Sequence, residues 1–290
     1  MAAERTAGAG AAPGLLVPAL ALLGSMVSTN LGAAFAKHLF PLVGAQGLTA
    51  LRVGLSAALL LAWFRPWRTP PARADVRNLL VFGLVLGCMN LMIYSAFARI
   101  PIGIAVAIEV TGPLMVVLAG SRRLQDFAWL ACAVFGLWLL LPLHTHGAAL
   151  DPVGIAFAFG AALCWALYIV FGKRVSTLHG GQAVAWGMLA AALFTVPLGF
   201  AHAGGALLSP GLLAWGLAVA ILSSAGPYLL EMTALKRLPQ RVFGIMVSAS
   251  PAVSALAGYL VLGERLLPAQ WLAIVLIIAA SGGAAASSRR

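Results

Sequence analysis

Arg99–Pro113 reads RIPIGIAVAIEVTGP, an apolar run that carries one carboxylate, Glu109, four residues ahead of Pro113. A proline inside a helix removes the amide that the carbonyl of residue i−4 would accept from, and its ring pushes into that carbonyl. The helix therefore bends beside the acid. The frame recurs at Arg237–Pro251 (RLPQRVFGIMVSASP), where Pro239 answers Pro101 and Pro251 answers Pro113 at the same offset of 138 residues. Just upstream, NLMIYSAFARIP ending at Pro101 superposes on PYLLEMTALKRLP ending at Pro239. The chain is written twice, and interrupted apolar segments at matching places in two halves point to a transporter.

Composition places the chain in lipid. It is 62% hydrophobic and 9% charged, with a mean hydropathy of +1.01, whereas a soluble domain is about half apolar and about a quarter charged. A crossing needs about 20 apolar residues, so the chain has room for about ten. The expected fold is an all-α integral membrane protein of ten transmembrane helices: 15–36, 47–64, 78–98, 101–120, 126–143, 152–172, 182–200, 210–234, 239–262 and 268–286. Each is apolar around its whole circumference, as a helix in lipid must be. The gaps carry Pro, Gly and charge, as in RPWRTPPARADVR at 65–77 and GERLLP at 263–268. Two five-helix repeats, 15–144 and 152–286, follow an Ala/Gly-rich tail of residues 1–14 that is expected to be disordered. They divide near Thr145 to Pro152. The run from Leu15 is longer than a signal-peptide core, so it is expected to remain as the first span.

The net charge of +11 raises the question of nucleic acid, and placement decides it. With the N-terminus in the cytoplasm, that side receives Arg5, Arg65, Arg68, Arg73, Arg77, Arg122, Arg123, Lys173, Arg174, Lys236, Arg237, Arg241, Arg289 and Arg290. The other side receives Lys37, Arg99 and Arg265. This is the positive-inside pattern, with both termini cytoplasmic, and it excludes a nucleic-acid surface. Five spans per half make the second repeat enter the membrane inverted. Inverted halves allow one packing to open inward and its mirror to open outward around a site between them.

Of the acidic residues, Glu4, Asp75, Asp126, Asp151 and Glu264 lie in tails, loops or span ends, while Glu109 and Glu231 fall inside spans. An ionised carboxylate in hydrocarbon costs several kcal/mol, so such a group faces the bundle interior, meets a cation or takes up a proton. It can exchange a proton as its surroundings alternate between dry and wet, or it can simply pair with an arginine and hold helices together. Arg52 is the one basic residue set more than a turn inside an expected span, Arg241 lying at the very start of 239–262. It is either a counter-charge for a carboxylate, whose shape a guanidinium matches, or a side chain snorkelling to the nearer interface.

Helical spacing gathers further polar residues. Asn90 and Tyr94 are i,i+4; Ser224, Tyr228 and Glu231 share a face, as do Ser250 and Ser254; Trp165 and Tyr168 are i,i+3; Asn30 lies deep in the first span. Singly, each is an ordinary packing or interhelical hydrogen-bonding residue; together they suit a cavity for a small zwitterion. Pro113, Pro251 and Gly112 are the candidates for bending and close approach, with Gly32, Gly83, Gly87 and Gly258 as further contact glycines. Cys88, Cys132 and Cys164 stand in no metal or disulfide spacing and read as packing residues. No nucleophile elbow, HExxH or phosphate loop appears, so neither covalent catalysis nor a cofactor or metal is expected. A non-transporting membrane scaffold is the reading from another class, and it would need no buried carboxylates.

The runs AKHLFPLVGAQGLTALR (36–52), PIGIAVAIEVTGPL (101–114), SRRLQDFAW (121–129), GLWLLLPL (136–143), GLAVAILSSAGPYLLEMTALKRLPQRVFG (216–244) and LGERLLPAQWLA (262–273) touch most spans of both halves. On them the chain resembles the drug/metabolite transporter superfamily with two EamA-type repeats. The resemblance implies a bacterial inner-membrane carrier with a central cavity that exports small neutral amino acids, threonine and homoserine first, by proton antiport. Its partners would be the amino-acid substrate, protons and the lipid bilayer, as a monomer or homodimer. Other cargoes of the same fold, including aromatic amino acids and drugs, stay open, since Trp165, Tyr168 and Tyr228 suit a flat ligand. Similar exporters often carry glutamate just before the second-half proline, where this chain has Ser250. That departure leaves the carboxylate role to Glu109, with Glu231 as the other candidate.

Overall fold

The computed structural model describes residues 13–68, 70–119, 124–140, 150–175, 181–235, 237–238 and 240–287. Residues 1–12 of the expected tail, most of the expected break between the halves, and Pro239 lie outside that set. The helices are α1 (Pro13–Lys37), α2 (Phe40–Phe64), α3 (Arg73–Phe97), α4 (Ile102–Glu109), α5 (Thr111–Ala119), α6 (Leu124–Leu140), α7 (Pro152–Val175), α8 (Gln182–Ala203), α9 (Pro210–Ala220), α10 (Gly226–Leu235), α11 (Gln240–Val247), α12 (Ser250–Leu262) and α13 (Pro268–Ser287). A π-helical turn, Ile221–Ala225, joins α9 to α10. Leu16–Lys37, Phe40–Phe64, Asp75–Phe97, Pro152–Gly172, Gln182–Leu208 and Val242–Leu262 are long and apolar enough to cross a bilayer. Shorter apolar segments run over Ile102–Val116, Phe127–Leu139, Pro210–Ala225 and Pro268–Ala284. The chain is an all-helical, multi-pass membrane protein.

Prolines set the interruptions. Helix α4 ends at Glu109, four residues before Pro113, and α11 ends at Val247, four residues before Pro251. These are the positions whose carbonyls lose a donor. Hydroxyls reach back over both breaks: Thr111 donates to the Ile108 carbonyl at 2.6 Å and Ser248 to that of Gly244 at 2.8 Å. At Pro227 the chain widens into the π turn, where the Gly226 amide bonds the Ile221 carbonyl and the absent proline amide leaves the Leu222 carbonyl without a helical donor. The expected spans 101–120, 210–234 and 239–262 are therefore interrupted rods rather than single helices. The expected span 47–64 also begins earlier, at Phe40. Pro41 fits a first helical turn, and Gly44 (φ 68°, ψ 172°) absorbs a kink that no side chain would tolerate.

Small residues bring the rods together. Helix α2 packs on α8 and α9, α3 on α7 and α8, α1 on α10 and α12, α4 on α12, and α6 on α13. A Cβ on Gly112 would collide with the Ala162 carbonyl oxygen, and one on Gly103 would lie 2.6 Å from Ala255 Cα. Such contacts replace the hydrophobic drive that lipid does not supply between helices.

One end of the bundle is clamped by charge. Lys37 Nζ, on the last turn of α1, pairs with Glu264 Oε1 at 2.7 Å and donates to the Ile100 carbonyl at 3.2 Å. Glu264 Oε2 accepts the Ile102 amide at 3.0 Å, one of the free N–H groups that open α4. Arg99 pairs with Asp151 at 2.9 Å, whose other oxygen caps the Val153 amide and starts α7. The bonds from Arg99 and Val153 hold the Asp151 carboxyl below the ordinary carboxylate range. The largest cluster of buried side chains, including Ala36, Phe97, Ile100 and Ile102, lies beside these pairs. Replacing Glu264 by Ala leaves Lys37 with the Ile100 carbonyl alone and takes the partner from the Ile102 amide, in a setting where the glutamate side chain is only 14% exposed. The expected loss is about 1–3 kcal/mol, read in detergent as a melting temperature lower by about 2–4 °C per kcal/mol. Arg99→Ala breaks an exposed pair worth about 0–1 kcal/mol and leaves the melting point nearly unchanged.

Candidate functional site

The proline breaks and the π turn face a common interior. A cavity of about 230 Å³ there is lined by Asn30, Arg52, Asn90, Tyr94, Glu109, Trp165, Tyr168, Glu231 and Ser250, so side chains from both halves share it. Of the candidate site residues, Tyr228 is the one whose side chain is not among those described. Pro113, Pro251 and Gly112 stand outside the wall and shape it through the breaks and through the α5–α7 contact. Ser254 is fully buried away from the cavity and makes no hydrogen bond among the described residues.

Arg52 is the electrostatic centre. Its guanidinium turns into the bundle, away from the interface, and Nη1 donates to Ser224 Oγ at 3.1 Å and to the Ser223 carbonyl and hydroxyl at 3.4 Å. Arg52, on α2, thus bonds the backbone of the π turn between α9 and α10. The guanidinium carbon stands 4.6 Å from the centroid of the Tyr94 ring, a cation–π contact sheltered from water.

Glu109 terminates α4 and faces this cavity, 8% exposed, because Pro113 ends the helix there. It makes no ion pair or hydrogen bond among the described residues. Glu231, one turn beyond Pro227 on α10, lines the same space. Asn30 and Asn90 spend their amide nitrogens on the preceding turns, at 2.8 Å to the Met26 carbonyl and 2.7 Å to that of Leu86. The Asn30 nitrogen also lies 3.5 Å from Ser250 Oγ. The wall therefore holds one fixed cation, two carboxylates and a ring of amides and aromatics, an arrangement that can hold both ends of a zwitterion. No three His, Cys, Asp or Glu side chains gather as a metal site among the described residues.

Spacing alone missed Ser25 and Ser223 in the wall, and Ser28 beside it. Ser25 donates to the Pro227 carbonyl at 3.1 Å and Ser28 to that of Leu222 at 2.6 Å, tying α1 to the π turn. Ser223 joins Arg52 through its hydroxyl as well as its carbonyl. The signal was Pro227, which in the π register leaves the Leu222 carbonyl for Ser28 to serve.

The EamA-like transporter family matches residues 152–284. The threonine/homoserine exporter RhtA of Salmonella typhimurium (strain SL1344) is 50% identical over 274 residues, covering 94% of this chain and 93% of that protein. The exporter of the same name from Escherichia coli (strain K12) is 50% identical over 263 residues, covering 91% and 89%. A solved crystal structure 23% identical in sequence superposes with a TM-score of 0.59 over 96% of this chain and 97% of that one, a likeness of fold alone.

The α5–α7 contact gives a direct test of the wall. Gly112→Val drives a side chain into the Ala162 backbone, beyond the usual overpacking cost of about 1–3 kcal/mol. It is expected to remove the monodisperse peak in detergent chromatography. Gly282→Ala, where the nearest atom to a new Cβ is 3.8 Å away, keeps that peak.

Proposed function

Since the chain belongs to the EamA-like transporter family, it is a transporter and not an enzyme, and we propose that it exports small neutral amino acids, threonine and homoserine foremost, in exchange for protons. The observation that carries this reading is one small cavity lined at once by Arg52, Glu109 and Glu231. A zwitterion needs both signs of charge within a few bonds, and here they share about 230 Å³. Drug-sized ligands occupy about 300–1,000 Å³, so the volume favours small cargo. The two RhtA exporters, at 50% identity, support threonine and homoserine as that cargo.

The architecture we infer is two inverted five-helix repeats, 15–144 and 152–286, crossing a bacterial inner membrane ten times with both termini in the cytoplasm. Six long and four shorter apolar segments support that number. The packing also exchanges when the halves are exchanged: α3 lies on α7 as α10 lies on α1, and α3 on α8 as α9 on α2, while α2 meets α8, α4 meets α12 and α6 meets α13. The alternation of basic residues along the chain supports the orientation. One chain encloses the whole site, so a monomer suffices and a homodimer would simply hold two.

In the proposed cycle the cargo enters from the cytoplasm, its carboxylate toward Arg52 and its ammonium toward Glu109. A proton arriving from outside neutralises the glutamate, which no longer holds the ammonium, and release follows. Glu231 is the second proton-handling group. Pro113, Pro251 and Gly112 let the broken rods bend as the halves rock.

A second reading, an exporter of flat aromatic cargo, draws on Trp165 and Tyr168 in the wall. Overexpressing cells challenged with graded homoserine, threonine and aromatic analogues separate the two: protection against the first pair is expected. In everted vesicles a proton gradient should raise threonine accumulation. Glu109→Gln should cut that gradient-driven part at least about tenfold, the scale of a 1.4 kcal/mol effect. Equal transport by variant and wild type would remove Glu109 from the mechanism.

A further inference from the structure

The clamp at the end of α1 closes around one turn of backbone. Pro101 opens α4, and the clamp takes the groups on either side of it: Lys37 Nζ donates to the Ile100 carbonyl, while Glu264 Oε2 accepts the Ile102 amide. Glu264 is aimed there by its own backbone. Gly263 (φ 66°) ends α12 in a left-handed turn, and the Glu264 amide returns to the Gly258 carbonyl at 3.1 Å. A Cβ on Gly258 would lie 2.5 Å from Glu264 Oε2 and 2.9 Å from Ile102 Cγ1, so only glycine lets the carboxylate reach α4. Beside it, His38 Nε2 bonds the Val261 carbonyl at 3.3 Å. The bonds from Glu264 to Lys37 and Ile102, and from His38 to Val261, all run from one proposed half to the other.

The clamp stands directly beyond the cavity. Ala33, Phe97 and Val106 line the cavity wall, and they lie three or four residues from Lys37, Ile100 and Ile102 respectively. One helical turn, about 5 Å, therefore separates the wall from the clamp. Helix α4 spans the same interval: all of Ile102–Glu109 is buried, Glu264 holds its first residue, and its last is Glu109 in the wall, about 10 Å away. We propose that Lys37 and Glu264 form the outer gate of the carrier. The pair joins the halves over the cavity while it faces the cytoplasm, and it parts to let cargo leave outward, freeing the rod that carries Glu109. The proposal rests on the orientation and the alternating cycle inferred above. A gate stabilises one of two states, so removing it shifts the population toward the other. A staple common to both states leaves their ratio alone.

The test places a reporter one turn beneath the clamp, Ala33→Cys, in a chain whose Cys88, Cys132 and Cys164 have been replaced, and labels it with a membrane-impermeant thiol reagent. Glu264→Gln keeps an acceptor for the Ile102 amide while removing the charge that Lys37 pairs with; Lys37→Met removes the other charge. Each should speed labelling in intact cells at least about threefold, the population shift that follows loss of a charged hydrogen bond, and slow it in everted vesicles. Separately, Lys37→Cys with Glu264→Cys, without the reporter, is bridged by a short bis-methanethiosulfonate. Threonine counterflow in proteoliposomes should stop, then return when dithiothreitol releases the bridge; the reduced form reports folding, and if it is inert the labelling comparison decides alone. Counterflow that continues through the bridged form, or labelling from outside that neither substitution changes, would overturn the proposal and leave the pair a staple. Faster labelling in everted vesicles alone would also overturn it, placing the clamp on the cytoplasmic face. Failure of the parent reading looks different: wild-type proteoliposomes show no threonine counterflow, or Ala33→Cys reacts equally from both sides before either charge is removed.

Discussion

A backbone carbonyl in the middle of a bilayer has no water to bond, and the helices of this protein are broken where proline removes the amide that would have served it. That constraint organises the molecule. Each break, before Pro113, Pro227 and Pro251, leaves a carbonyl without its helical donor. Beside the breaks, Thr111 and Ser248 bond the Ile108 and Gly244 carbonyls locally, while Ser25, Ser28 and Arg52 bond the Pro227, Leu222 and Ser223 carbonyls from across the bundle. The polar side chains are concentrated where the backbone is least helical, and Glu109 is delivered to the cavity by the proline that ends its helix.

The two ends of the bundle are unlike. Around the last turn of α1 and the first turn of α4, Lys37, Glu264 and the Ile102 amide form one connected clamp beside the largest buried cluster. Away from that end the buried side chains divide into smaller groups, such as Leu22 with Met26 and Ala234, or Leu79 with Phe82 and Val175. The cavity thus has one connected clamp toward one end and several separate buried clusters toward the other. In the proposed orientation the clamp lies on the outer face, and the cargo's path from the cytoplasm runs between those separate clusters.

Much of the site was legible because polar residues are scarce in an apolar chain. Nothing soluble competes for Glu109, Glu231, Arg52 or Asn90 inside a span, and helical spacing put Asn90 with Tyr94 and Trp165 with Tyr168 on shared faces. The duplicated proline frame likewise marked the breaks at Glu109 and Val247. What escaped was written in backbone geometry. Pro41 and Gly44 fall before the expected span 47–64, yet the first sits in the opening turn of α2 and the second kinks it. The π turn follows from Pro227 together with packing against α1, and its acceptor Ser223 has no distinguishing side-chain chemistry. The Lys37–Glu264 clamp joins residues 227 positions apart, a pairing that no local period contains.

The central claim is that the cavity is the site of passage, reached from one side at a time. Its most direct test is a single cysteine at Ser250, Ser250→Cys, in a chain whose Cys88, Cys132 and Cys164 have been replaced. This variant is labelled with a membrane-impermeant thiol reagent in intact cells and in everted vesicles. The account predicts labelling in everted vesicles that threonine slows, and far less labelling in intact cells. A cysteine equally reactive from both sides, or one whose reactivity threonine never alters, would contradict it.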